Sequence, residues 1–293
     1  MTVPAYTTRA PRRAHGRERR HSAGYVGGDE SRHLLGTVMQ FASELMITAG
    51  LLLALLVVWE LFWTDIGANR EQEQIVAELD WDAMVLPIPA DTTAPGASPE
   101  ATGPVYPVLP ASDIHVGETP PVAAAPAYAQ TFATMYVPRW GLDYVKPISE
   151  GVSRSDVLDS KGIGHYPQTA ILGEPGNFAV AAHRTTYARP FWDVDKLQIG
   201  DRIVIRTEDT WYVYSVTEFY IEQPSYVPAI APVPGQPGAA ADGHYLTLTT
   251  CHPKYSASER YIVHAELVYW APASSGGFPT DLIPEGAQVE VAA

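Results

Sequence analysis

Cysteine is almost absent: one of the 293 residues is cysteine, Cys251. No intramolecular disulfide can form, and a zinc site built from several thiolates is excluded. Cationic residues are also scarce, with 19 Lys and Arg against 33 Asp and Glu and a net charge of −14. Phosphate backbones repel so acidic a chain, so nucleic acid is excluded as a partner. No internal period is found, which excludes solenoid, collagen and coiled-coil architectures. Charged residues make up only 18% of the chain and hydrophobic ones 46%, so there is apolar material for a core and a wholly disordered chain is excluded. What is abundant is proline (26) and glycine (23). The length permits two domains, but this much Pro and Gly predicts one compact domain with part of the chain outside it.

There is one long apolar run. LMITAGLLLALLVVW covers Leu45 to Trp59, and after Glu60 the apolar character resumes in Leu61, Phe62 and Trp63. These positions at about 1.5 Å each span roughly 28 Å, close to a hydrocarbon core. The segment 38–63 is therefore predicted to cross a membrane once as a helix. Seven of the cationic residues lie in the arm 1–37 (Arg9, Arg12, Arg13, Arg17, Arg19, Arg20 and Arg32). By the positive-inside rule this arm is cytoplasmic and everything after Trp63 lies outside. A cleaved signal peptide is the rival reading, against which stand the long basic arm and an apolar stretch exceeding a usual h-region.

Residues 64–130 divide in two. ANREQEQIVAELDWD at 68–82 is predicted to continue as a short polar helix with Ile75, Val76 and Leu79 on one side. From Val85 to Gln130 the chain holds ten Pro and ten Ala, no Lys or Arg, and two aromatics. Such a stretch is predicted to be an extended spacer, with an upper reach of about 140 Å in polyproline II, or simply a disordered joint. It has no evident anchors, so residues 64–130 are not expected to fold back over the active site.

After residue 130 the texture turns to short runs rich in β-branched and aromatic residues: TFATMYVPRWG, LDYVKPIS, NFAVAAH, RIVIRT, TWYVYSVTEFYIEQ, HYLTLTTC and RYIVHAELVYW. These are predicted strands. Glu208-Asp209 is a hairpin turn, Gly200-Asp201 a turn and 228–243 a loop. In GVSRSDVLDSKGIGHYPQT, Ser153 or Ser155 caps one short helix. Seven or so strands with little helix predict a closed or sandwiched all-β domain over 131–270. Residues 271–293 are predicted to be a loose tail.

Cys251 ends the strand YLTLTTC and opens onto the loop HPKYSASER, where a substrate can reach it. A buried core thiol is the alternative. A thiol needs cationic neighbours to act as a thiolate at neutral pH, and Arg260 begins the return strand where it can face Cys251. Of nine histidines, five lie in the folded region: His165, His183, His244, His252 and His264. His183 closes an apolar strand as Cys251 does. His252 is adjacent to Cys251, and adjacent strand residues face opposite sides; His264 lies on a face that spacing does not assign.

Taken together, TLTTC at 247–251 with Arg260 nine residues on, and NFAVAAHRTTYARPFWDVDKLQIGDRIVI at 177–205, closely resemble the sortase family of Gram-positive cysteine transpeptidases. The likeness covers roughly 133–270. TLTTCHPKYSASERYIVHAEL and AAHRTTY look most like the class E members of high-GC Gram-positive bacteria. The resemblance implies a closed eight-stranded β-barrel with short helices and a catalytic set of Cys251, His183 and Arg260, with no cofactor and no identifiable metal-binding carboxylate cluster. It implies thiolate attack on a Thr–Gly bond in the sorting signal of a surface protein. The acceptor it implies is an amine on a peptidoglycan precursor or a pilin lysine. Thr250 is implied as an aid to the oxyanion, and Tyr166 as a contributor to a preference for Leu-Ala-x-Thr-Gly over Leu-Pro-x-Thr-Gly, unless it is simply a packing aromatic. With no Asp-Pro-Trp lid in 131–160 and no second apolar span, a housekeeping enzyme is expected rather than a pilus polymerase. The competing functions are a hydrolytic cysteine peptidase of the envelope and a non-catalytic envelope β domain on a stalk.

Overall fold

The computed structural model describes residues 29–79, 81 and 104–292. The basic arm up to residue 28 and the spacer between 82 and 103 lie outside the described residues.

The chain divides into two compact units, 1–56 and 57–293. The first contains most of α1 (Asp29–Ala77), one uninterrupted helix. Its stretch Gly36–Trp59 is long and apolar enough to cross a membrane, and its large side chains, from Val38 and Phe41 to Leu56 and Trp59, are all exposed. The predicted polar helix is thus the end of the apolar one.

Among the described residues the second unit holds eleven strands: β1 (Val105–Val108), β2 (His115–Val116), β3 (Thr131–Tyr136), β4 (Val145–Glu150), β5 (Ile163–His165), β6 (Gly176–Ala181), β7 (Arg202–Arg206), β8 (Thr210–Glu222), β9 (His244–His252), β10 (Glu259–Pro272) and β11 (Gln288–Val291). Strands β3 to β10 form a closed eight-stranded barrel in the order β10-β8-β7-β3-β4-β5-β6-β9, with β9 pairing back onto β10. Closure leaves no barrel edge unpaired. The predicted hairpin forms, with Arg206 opposite Trp211. The predicted helix is one turn, Arg154–Leu158, with i→i+5 bonds from Leu158 N to Ser153 O and from Asp159 N to Arg154 O. Ser153 occupies its N-cap position without a side-chain capping bond. Strand β5 was not among the predicted runs: three residues beside Gly162 carry too little pattern to register.

Period-two alternation sorts the side chains. Ile203 and Ile205 of β7 with Tyr212, Tyr214 and Val216 of β8 point into the barrel, beside Met135, Phe178, Leu246 and Val263. Val204, Trp211 and Val213 face outward into a second cluster with Tyr106, Leu109, Tyr269, Phe278 and Leu282. That cluster corrects two expectations. Residues 104–130 are not a free spacer: β1 pairs in parallel with β11, β2 adds to β10, and His115 stacks on Trp270 at 4.0 Å. Pro121 O accepts from the Tyr212 hydroxyl at 2.7 Å, and a Cβ on Gly173 would lie 2.0 Å from that same carbonyl. Nor is 271–293 a loose tail, since Phe278 and Leu282 are buried in that cluster and β11 pairs with β1. The core supplied by the barrel's outer face makes up for what each segment lacks alone.

Candidate active site

Strand pairing assembles the site. β6 and β9 run parallel with Ala181 opposite Thr249, so two further residues on each bring His183 and Cys251 to the same end of the barrel. β10 runs antiparallel to β9 with Arg260 directly opposite Cys251. All three residues line one cleft of about 680 Å³, together with Tyr166, Thr249, Thr250, Arg184 and Tyr255. Cys251 is half-buried and is the sole cysteine. A thiol so placed is reachable, unlike the inert core thiol of the alternative reading.

His183 is held by a residue that the sequence did not single out. Its Nε2 donates to Asp159 Oδ1 at 2.6 Å, and its ring lies 5.1 Å from that of Tyr187. Because a carboxylate only accepts, Nε2 carries the hydrogen, and the free lone pair of a neutral ring is on Nδ1. Nδ1 has no protein partner among the described residues.

Arg260 places Nη1 on the carbonyls of Ala257 (3.0 Å) and Glu259 (2.9 Å). Its Nε and Nη2 have no protein partner among the described residues, so donors remain for an anionic or carbonyl oxygen. A second arginine reaches the Cys251 backbone with its side chain. Arg184, buried, donates Nη1 to Cys251 O at 3.4 Å and to His252 Nδ1 at 2.8 Å, and pairs with Asp195 at 2.9 Å. Its guanidinium also lies 5.5 Å from the Tyr261 ring, whose phenol burial pushes up. Arg184 thus ties the strand end carrying the thiol to the loop after His183. Its place beside His183 in AAHRTTY was visible, but its partners were not.

Thr250 does not present a donor to the cleft. Its hydroxyl gives its one proton to Ala182 O at 2.7 Å, which pins β9 to β6 just before His183 and Cys251. The proton needed for an oxyanion role is therefore already committed. Tyr166 lies 3.0 Å from Thr249 Oγ1, which in turn donates to Val180 O, so the phenol donates into the strand pair at the cleft wall. Two other histidines are packed within the fold, away from this cleft. His165 is buried against Glu150 at 2.7 Å and stacked on Phe178. His264 lies between Thr247 and Tyr220, at 2.9 and 2.8 Å. Among the described residues no group of three or more His, Cys, Asp or Glu could hold a metal ion.

Comparison with known proteins agrees with this arrangement. A family model described as the sortase domain matches residues 135–268. Sortase SrtE2 of Streptomyces coelicolor is 30% identical over 258 residues, covering 86% of this chain and 91% of that protein. Sortase SrtE1 of the same organism is 32% identical over 241 residues, covering 80% of this chain, and the chain spans 58% of that protein's length. Among solved structures, the SrtA sortase from Actinomyces oris superposes with a TM-score of 0.55 at 41% identity, covering 59% of this chain and 97% of that one. With a barrel whose strand ends gather a cysteine, a histidine and an arginine, and relatives of this identity and coverage, the chain belongs to the sortase family of cysteine transpeptidases, with its likeness to class E.

Proposed function

We propose that this protein is a membrane-anchored transpeptidase that cleaves the Thr–Gly bond of a sorting signal, Leu-Ala-x-Thr-Gly in preference to Leu-Pro-x-Thr-Gly. It joins the surface protein to an amine of a cell-wall precursor or, in the pilus-type variant, a pilin lysine. The observation that carries the reading is the convergence of Cys251, His183 and Arg260 on one cleft. The Cys251 thiolate attacks the threonine carbonyl carbon, and the developing oxyanion is met by Arg260 and backbone N–H groups. The C–N bond breaks as His183 gives the leaving glycine nitrogen the proton that its Nδ1 took from the Cys251 thiol when the thiolate formed, leaving a thioester on Sγ. The incoming amine then loses a proton to His183 and attacks the thioester, releasing the thiolate. Tyr166 on the cleft wall is the residue we assign to the choice at the second signal position, and Thr250 to holding the strand ends together. The helix Gly36–Trp59 supports anchoring, and the arginines of residues 1–37 favour an N-terminus in the cytoplasm with the barrel outside.

The test is ligation by the purified full-length chain, followed by mass spectrometry with both signal peptides and an excess of a glycine-type amine. The expected result is a ligated product, favouring the Ala-containing peptide, that Cys251→Ala abolishes. Hydrolysis alone despite the amine would make the enzyme a peptidase, and no Cys251-dependent product would overturn the reading.

A further inference from the structure

The end of α1 is docked on the barrel by a face that apolar periodicity does not describe. Asp65, Ala68, Asn69, Gln72 and Val76 follow the i, i+3, i+4, i+7, i+11 spacing of one helix face. Ala68 and Gln72 are buried at 5% and 1% exposure, whereas Ile66, Gly67, Arg70 and Glu71 are exposed. Gln72 makes its contact through the amide nitrogen, its Oε1 having no hydrogen-bond partner among the described residues. Gln72 Nε2 donates to Tyr187 O at 3.3 Å. Asp65 accepts from Ala188 N at 3.2 Å and pairs with Arg189 at 2.9 Å. Asn69 Oδ1 accepts from Lys146 Nζ at 2.7 Å.

The residues so held are unusual. Tyr187, Ala188 and Arg189 have φ of 55, 63 and 49°, three consecutive non-glycine residues in the left-handed region. Such backbone persists only where its surroundings over-determine it. The run begins four residues after His183, and the Tyr187 ring lies against the His183 ring. Gln72 also reaches the opposite side: a Cβ on Gly162 would stand 3.0 Å from Gln72 Cδ, and Gly162 is three residues from Asp159, which holds His183 Nε2. One side chain of the membrane-proximal helix therefore touches both loops that orient the histidine.

We propose that Asp65 and Gln72 are positioning residues of the active site, so that the membrane-proximal helix holds the Tyr187–Arg189 run and, through it, the ring of His183. The proposal rests on the function given above, and it makes the segment after the membrane helix part of the catalytic unit rather than a tether.

The experiment uses the full-length chain in nanodiscs, wild type and Asp65→Ala/Gln72→Ala, with Asp65→Glu as the conservative variant. In the double variant, hydrogen exchange at the Ala188 amide is expected to rise about tenfold or more. kcat for ligation is expected to fall about tenfold while KM for the signal peptide stays within about twofold, because the defect is in orientation and not in binding. Asp65→Glu is expected to recover a substantial part of kcat, and the barrel's Tm to move by no more than about 2 °C. Unchanged Ala188 exchange would overturn the proposal, as would faster exchange with unchanged kcat. A loss shared by kcat, KM and Tm would also overturn it, as plain destabilisation. A wild-type chain that ligates nothing would remove the function and the catalytic role together, and the Ala188 exchange would still report the contact, so the two failures are distinguishable.

Discussion

The most informative residue is Asp159, because it converts a histidine near a cysteine into a histidine with a defined hydrogen. Its carboxylate takes the Nε2 hydrogen of His183 and leaves the Nδ1 lone pair for proton transfer. Asp159→Asn is expected to lower kcat by about ten- to a hundredfold with folding unchanged, through loss of ring orientation; steady-state ligation beside a thermal melt checks this. Asp159 lies 24 residues before its partner, at the end of a single irregular turn in a loop. No periodicity marks such a position, which is why it was missed while Cys251, His183 and Arg260 stood out at strand ends. Thr250 carries the opposite lesson: its neighbourhood to Cys251 was plain, but only its bond to Ala182 O reveals where its proton goes.

At the scale of elements, the segments before β3 and after β10 pack against the barrel although their composition reads as spacer and tail, because an average over a whole segment hides a short alternation. In VYPV, Tyr106 and Val108 face the barrel while Val105 is exposed. Their partners are outward side chains of β7, β8 and β10, which no local reading connects to them. Phe278→Ala should therefore destabilise the folded unit by about 3 kcal/mol and lower Tm by about 8 °C, measured by calorimetry. The histidine on β10 makes a separate prediction. Burial pushes the His264 pKa from 6.5 down to about 4. Above pH 6.5 the ring is neutral in both folded and unfolded chains and contributes no pH dependence. Between about 6.5 and 4 the unfolded chain takes up a proton that the folded one refuses, so stability falls with falling pH, in total by on the order of 3 kcal/mol. Urea midpoints across this range should show that slope in the wild type, and His264→Gln should flatten it.

At the scale of the whole molecule, the single cysteine serves as a topology probe. In intact cells a membrane-impermeant maleimide is expected to label the full-length chain at Cys251 and to leave Cys251→Ser unlabelled; labelling only after permeabilisation would reverse the proposed orientation. The long apolar helix, the β character of 131–270, the family and the three residues we propose as reactive are legible in the sequence itself, because each is written in contiguous residues: an uninterrupted apolar run, short β-branched strands, and motifs at strand ends. The tertiary structure alone decided the rest. Barrel closure sets Ala181 beside Thr249 and Cys251 opposite Arg260. The same closure exposes an outer apolar face that recruits Tyr106 and Phe278, and polar contacts bring Asp159 to His183 and Asp65 to the loop beyond it. Apart from Cys251 and Arg260, whose facing across a short turn the spacing already suggests, those pairings join residues separated along the chain. Their energy comes from burial and hydrogen-bond geometry that exist only once the barrel has formed.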